Sequence, residues 1–134
     1  MKLCVCFDKK NGISFGGRRQ SRDRIQVSEM LSLVGTKRLW VSHYSSSLFD
    51  NYCNVIVDDD FPERASSDDY CFIEDVEMDI NLCDTVVLYK WNRFYPSDRS
   101  LVDLELLGFK MVSKRYFEGY SHKKITEEIY RKVN

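Results

Sequence analysis

Four arginines, Arg18, Arg19, Arg22 and Arg24, fall within seven positions in the stretch Gly16-Gly17-Arg18-Arg19-Gln20-Ser21-Arg22-Asp23-Arg24. Guanidiniums that close repel one another unless an anion or a carboxylate compensates them, and each offers a planar fork of donors to phosphate or carboxylate. The stretch therefore reads as a loop for an anionic, nucleotide-like small molecule, set ahead of a helix N-terminus that adds backbone N–H donors. The same density also suits an internal network, with Arg22 and Arg24 paired to Asp23, Glu29 or an acidic segment and Gly16-Gly17 serving the turn. A second group, Trp91, Arg93, Tyr95 and His122, sets aromatic faces beside an arginine, as a flat heteroaromatic ring would require. Core packing is the plainer use of Trp91 and Tyr95. Asp23 and His122 are the candidate proton-transfer groups. His43 and His122 could serve a metal-free ribonuclease as base and acid only if the fold brought them together. Ser45-Ser46-Ser47 reads as a helix cap, since no Gly-x-Ser-x-Gly elbow surrounds it.

Charge is unevenly spread behind a net value of −1. Residues 1–57 carry 9 basic and 4 acidic side chains, residues 58–84 carry 1 and 11, and residues 85–134 carry 10 and 6. The basic ends suit an anionic ligand, and the acidic segment 58–84 suits self-neutralisation, a solvated surface or a basic protein partner. Without an overall basic excess, non-specific nucleic-acid binding is not expected. No apolar run approaches a membrane span and the N-terminus lacks a secretory layout, so a cytoplasmic protein without membrane contact is expected. The cysteines, Cys4, Cys6, Cys53, Cys71 and Cys83, are odd in number and mostly in apolar surroundings, which points to reduced thiols. No Cys-x-x-Cys pair exists and neither histidine lies near a cysteine, so no metal site is expected.

The elements that must position these residues follow from periodicity. Lys2 to Phe7, Arg38 to Ser42, Asn54 to Val57, Tyr70 to Ile73 and Asp84 to Trp91 read as short buried strands. A turn at Asp8 to Gly12 has Gly12 suited to positive φ, and Ile13 and Phe15 read as loop residues folded onto the core. Ser21 is placed to cap a helix carrying Ile25, Met30, Leu31 and Val34 and ended by Gly35. A second helix is predicted from Ser45, an irregular segment over Asp58 to Asp69, and a short helix over Glu74 to Leu82. Phe109 to Phe117 and His122 to Lys132 close the chain as a hairpin, with Ile125, Glu127 and Ile129 alternating as a sheet edge should. The order predicts one domain over 1–134: an α/β mixed sheet with a parallel βαβ start, a C-terminal antiparallel hairpin and helices packed on the sheet. The hairpin could pair within the chain or across a homodimer.

That order, with Val5-Cys6-Phe7-Asp8-Lys9-Lys10-Asn11-Gly12-Ile13, Arg38 to Phe49, Asp84 to Tyr89 and Tyr95-Pro96-Ser97-Asp98, resembles dihydrofolate reductase. The resemblance implies a dihydrofolate reductase-like fold, with Asp23 nearest the carboxylate that holds the pterin in that family, and a pterin among the rings that Trp91, Arg93 and Tyr95 could face. It also exposes departures. Ile73-Glu74-Asp75 stands where the family's paired glycines approach the cofactor pyrophosphate, and Ser42-His43-Tyr44-Ser45 replaces its phosphate-facing motif. Ordinary NADPH-dependent folate reduction is therefore not expected, nor is a bound cofactor. Arg18 to Arg24, Trp91-Asn92-Arg93-Phe94-Tyr95-Pro96 and Gly119 to Thr126 are similar to a group of small uncharacterised proteins from anaerobic Gram-positive bacteria. Members of that group often carry the name ribonuclease Z. That enzyme needs a zinc cluster of several histidines, which two histidines cannot build.

Overall fold

Lys2–Phe7 (β1) is buried at almost every position because it is the middle strand of a seven-stranded sheet. The computed structural model describes residues 1–50, 52–101 and 103–133. After β1 come Gly12–Phe15 (β2), Arg18–Arg19 (β3) and the helix Arg24–Val34 (α1). Leu39–Val41 (β4), Val55–Val57 (β5), the short helix Phe61–Arg64 (α2) and Tyr70–Phe72 (β6) follow. Thr85–Lys90 (β7), Arg99–Ser100 (β8), Phe109–Phe117 (β9) and Ile125–Lys132 (β10) complete the order. The large sheet runs β5-β4-β6-β1-β7-β10-β9, parallel from β5 to β7 and antiparallel across β7, β10 and β9.

Period-2 alternation splits the strands between two cores. Leu3, Val5 and Phe7 face one side with Phe61, Val86, Leu88 and Phe109. Cys4 faces the other with Val87, Tyr89, Trp91 and the Val27, Met30 and Val34 stripe of α1. All five cysteines are free, and burial pushes the Cys71 thiol up to about 12 and the Cys83 thiol up to about 11.

Several expectations need correction. Ile13 and Phe15 do not form a loop. They lie in β2, which pairs with β3 through the two-residue turn Gly16-Gly17, whose φ values of 59° and 73° suit the twist of a tight hairpin. Ile13 is buried as expected, but Phe15, at the end of β2 beside the Gly16-Gly17 turn, is exposed. The left-handed residue of the preceding turn is Asn11 (φ 62°), while Gly12 is needed for space: a Cβ there would lie 2.5 Å from Ser97 Cβ. Ser45–Phe49 is a five-residue 3-10 helix instead of an α-helix, and of Glu74 to Leu82 only Ile80–Leu82 coils, also as 3-10. Neither segment carries enough apolar stripe to fund a longer helix.

The outer strand is β9, not β10. Buried Glu127 and Glu128 on β10 are compensated from its neighbours: Arg115 Nε and Tyr89 OH donate to Glu127 at 2.8 and 2.9 Å, and Lys90 lies 3.2 Å from Glu128. β9 exposes most of its side chains, with Lys110, Lys114 and Arg115 among them, a composition that discourages pairing between sheet edges. No helix among the described residues is long and apolar enough to cross a membrane.

Phe61 is fully buried on a four-residue helix that has little stability of its own. Phe61→Ala is expected to cost about 3–5 kcal/mol, read as a lower urea midpoint at an unchanged slope.

Candidate functional site

Asp23 is the N-cap of α1, a role the sequence reading gave to Ser21. Its Oδ1 accepts from the backbone N–H of Ile25 (3.0 Å) and Gln26 (3.3 Å), closing two of the helix's free donors. The same oxygen accepts from the N–H of Tyr120 at 2.9 Å, and Oδ2 accepts from the N–H of Ser121 at 2.9 Å. One carboxylate thus ties the start of α1 to the β9–β10 turn. Gly119 permits the approach: a Cβ there would sit 2.7 Å from Asp23 Oδ2, 2.8 Å from Ile125 Cδ1 and 2.9 Å from the His122 carbonyl oxygen.

His122 completes the arrangement. Its Nδ1 lies 2.9 Å from Asp23 Oδ2, and both side chains are almost wholly buried. An ionised carboxylate only accepts, so Nδ1 carries the proton and donates, and Nε2 is left as the acceptor in the neutral ring. Ser21 Oγ and Tyr95 OH lie 3.1 and 3.2 Å from Nε2. Trp91 stacks on the imidazole at 4.5 Å between centroids and 25° between planes. Trp91 is set by continuing β7, its N–H donating to the Phe7 carbonyl, and Tyr95 by its N–H donating to buried Asp8. Burial pushes the Asp23 carboxyl up, but hydrogen bonds from His122 and from the N–H groups of Tyr120, Ser121 and Gln26 outweigh it and hold the group well below the usual carboxylate range. The cause is this ring of donors and not the flanking arginines. Chemically, a carboxylate-oriented imidazole can take or give a proton at Nε2.

The four arginines do not converge. Arg19 is held inside the fold, Nε and Nη2 donating to both oxygens of Glu74 at 2.8 and 3.0 Å, with its guanidinium over the Tyr44 ring. Burial works against the Arg19 charge, but Glu74 raises its pKa overall. Glu74 also accepts from Ser45 Oγ at 2.8 Å, and Asp75 from Ser42 Oγ at 2.7 Å, at the C-terminal ends of β4 and β6. Arg18 is exposed on β3, and Arg93 is exposed beyond β7, apart from the stacked Trp91 and His122. His43 pairs with Asp59 at the surface and shares no contact with His122. Arg22 and Arg24 line a cleft of about 500 Å³ with Ser47, Tyr52, Tyr120 and Ser121, and the Arg24 guanidinium lies 3.9 Å from the Tyr120 ring centre. No His, Cys, Asp and Glu group suited to a metal occurs among the described residues.

Sequence reasoning missed Tyr120, Tyr52 and the Glu74–Arg19 pair as parts of this region, and gave Ser21 the wrong task. Ser21 and Asp23 are both good caps two positions apart, and periodicity does not fix a helix start to within two residues. The contacts from the β9–β10 turn span about a hundred positions and leave no local signal.

No protein-family model matches the sequence, and comparison with curated proteins finds no match. Among solved structures, the chain is similar to "Dihydrofolate reductase from Enterococcus faecalis complexed with NADP(H) and RAB-propyl", with a TM-score of 0.66 over 99% of this chain and 96% of that chain. Sequence identity is 9%, so what the two share is the fold: this chain has an α/β, dihydrofolate reductase-like architecture.

Two measurements test the Asp23 arrangement. Asp23→Asn is expected to lower stability by about 3 kcal/mol at pH 7, since several buried donors lose a charged acceptor. A depressed carboxyl contributes above its unfolded pKa of about 4 and loses that contribution as pH falls through its lower folded value. The gap between native and variant in chemical denaturation should therefore narrow below about pH 4. Gly119→Ala should cost about 1–3 kcal/mol in the same assay, because backbone and a buried carboxylate cannot step aside cheaply.

Proposed function

We propose that the chain binds an anionic small molecule with a nucleotide-like ring in the cleft at the start of α1. The observation that carries this reading is charge. Arg22 and Arg24 stand at the positive end of an eleven-residue helix whose first turn holds no acidic side chain. Asp23 between them is buried and committed to His122 and the β9–β10 turn. Among the described residues neither guanidinium enters an ion pair, so an incoming anion meets two free forks, while the helix donors themselves are taken by Asp23. Tyr120 and Tyr52 offer faces for the flat part of the ligand. The shared wording with small proteins of anaerobic Gram-positive bacteria supports a bacterial, cytoplasmic setting for such a ligand.

The cofactor named for the Enterococcus faecalis structure does not suit the strand ends here. Glu74 and Asp75 present carboxylates at the end of β6, and Arg19, the nearby cation, is consumed by Glu74. A pyrophosphate would meet negative charge. Reductase chemistry on a pterin is also disfavoured, because Asp23 accepts from six donor groups and has no acceptor capacity left. The acidic segment 58–84 is partly neutralised from within, by Arg64 on Asp58, Arg38 on Asp69 and Arg19 on Glu74, which weakens its case as a partner surface.

A thermal-shift screen of nucleotides, folates and inorganic phosphate, at low and physiological salt, tests the reading. Ligand at a hundred times its Kd should add about 2.7 kcal/mol. The shift is expected to fall with salt, to survive Arg18→Ala and to vanish in Arg22→Ala/Arg24→Ala. A shift that persists in the double variant, or none from any compound, overturns it.

A further inference from the structure

We propose that Ser21 is a nucleophile toward carboxylic esters, with His122 as its general base and Asp23 as the positioning residue for the imidazole. Three atoms of a relay stand in order: Ser21 Oγ is 3.1 Å from His122 Nε2, and His122 Nδ1 is 2.9 Å from Asp23 Oδ2. A base within hydrogen-bond reach of a hydroxyl, itself oriented by a third group, is the signature of an activated nucleophile, recognised by geometry and not by chain order. The carboxylate fixes the tautomer, which leaves Nε2 free to accept the hydroxyl proton.

The surroundings separate this from a hydroxyl that merely satisfies a histidine. Ser21 is released from capping by Asp23, which serves the helix in its place. Imidazole and carboxylate are buried and Trp91 covers one ring face, while Ser21 is only half-buried. The next residue, Arg22, has a backbone N–H that enters no hydrogen bond among the described residues, a donor for charge developing on a carbonyl oxygen. Tyr95 OH shares Nε2 at 3.2 Å, so the reactive arrangement is the one in which Ser21 donates and Tyr95 does not.

In the step itself, Ser21 Oγ bonds to the ester carbonyl carbon while its proton passes to Nε2. The tetrahedral adduct collapses as Nε2 returns that proton to the leaving alkoxide and the carbon–oxygen bond breaks, giving an acyl-Ser21 and an alcohol. Water then attacks the acyl group with Nε2 taking its proton, and Ser21 is restored as the carboxylic acid leaves. No oxidant or reductant is needed.

An uncharged fluorophosphonate tests this independently of the anion cleft, since it needs neither guanidinium. It bonds phosphorus to Ser Oγ and expels fluoride. The expected result is a single adduct on the Ser21 peptide by mass spectrometry, absent in Ser21→Ala and formed about a hundredfold more slowly in His122→Gln. Should His122→Gln fail to fold, urea-unfolded native protein takes its place, and its labelling at Ser21 is expected to be lost. No adduct on the folded protein, an adduct elsewhere, or a Ser21 adduct formed equally fast without His122 or without the fold overturns the proposal.

Discussion

The Asp23 carboxylate is the constraint on which the rest of the site depends. It is removed from water yet keeps its charge, because its two oxygens together are surrounded by donors from two distant parts of the chain. Burying a charge is unfavourable unless it is met by hydrogen bonds of this kind, and charge-assisted bonds are the stronger class. The result fixes three things together: where α1 begins, how the β9–β10 turn lies against it, and which nitrogen of His122 carries the proton. A neutral side chain in that place would leave all three loosely specified.

A second buried charge sits at the ends of β4 and β6 and works differently. Glu74 is answered by one cation, Arg19, gripped at both oxygens, with Ser45 taking a remaining lone pair. This pair anchors the β2–β3 hairpin to the parallel half of the sheet and removes one arginine from the set available to a ligand. The basic loop is therefore two functional halves, one structural and one facing the cleft. The ends of the parallel strands are where open α/β sheets present their sites, and here that edge carries a mixture of committed and uncommitted charge.

How much of this was legible follows from the range of the interactions involved. The strands and α1 were readable because they rest on local periodicity, and the parallel start with its antiparallel closing hairpin followed from short connections and crossovers, though not the place of β10 inside the sheet. Gly35 ended α1 as its position suggested, with φ of 61°. Ser45–Phe49 and the end of Glu74–Leu82 coil only as short 3-10 helices, because capping residues without a sustained apolar stripe do not sustain an α-helix. Asp23 was picked out through the dihydrofolate reductase resemblance and His122 by residue type, but their contact, and that of Ser21 with His122, depends on the last hairpin folding back over the first helix. Such proximity has no signature in a single sequence. Gly119 sits in the β9–β10 turn, yet its missing side chain is needed for the space it leaves to a carboxylate.

Asp23 and His122 stand 99 positions apart, and β10 slots between β7 and β9 instead of adding at an edge. A contact of that span cannot form early in folding, since the entropy of closing so long a loop is lost before the contact returns anything. During synthesis, the first helix and the parallel strands emerge while the imidazole is still unmade. The nascent chain therefore carries its arginines and its serine without the groups that arm them. Any chemistry at this site is silent until the final hairpin docks, so that completion of the fold and onset of reactivity are one event.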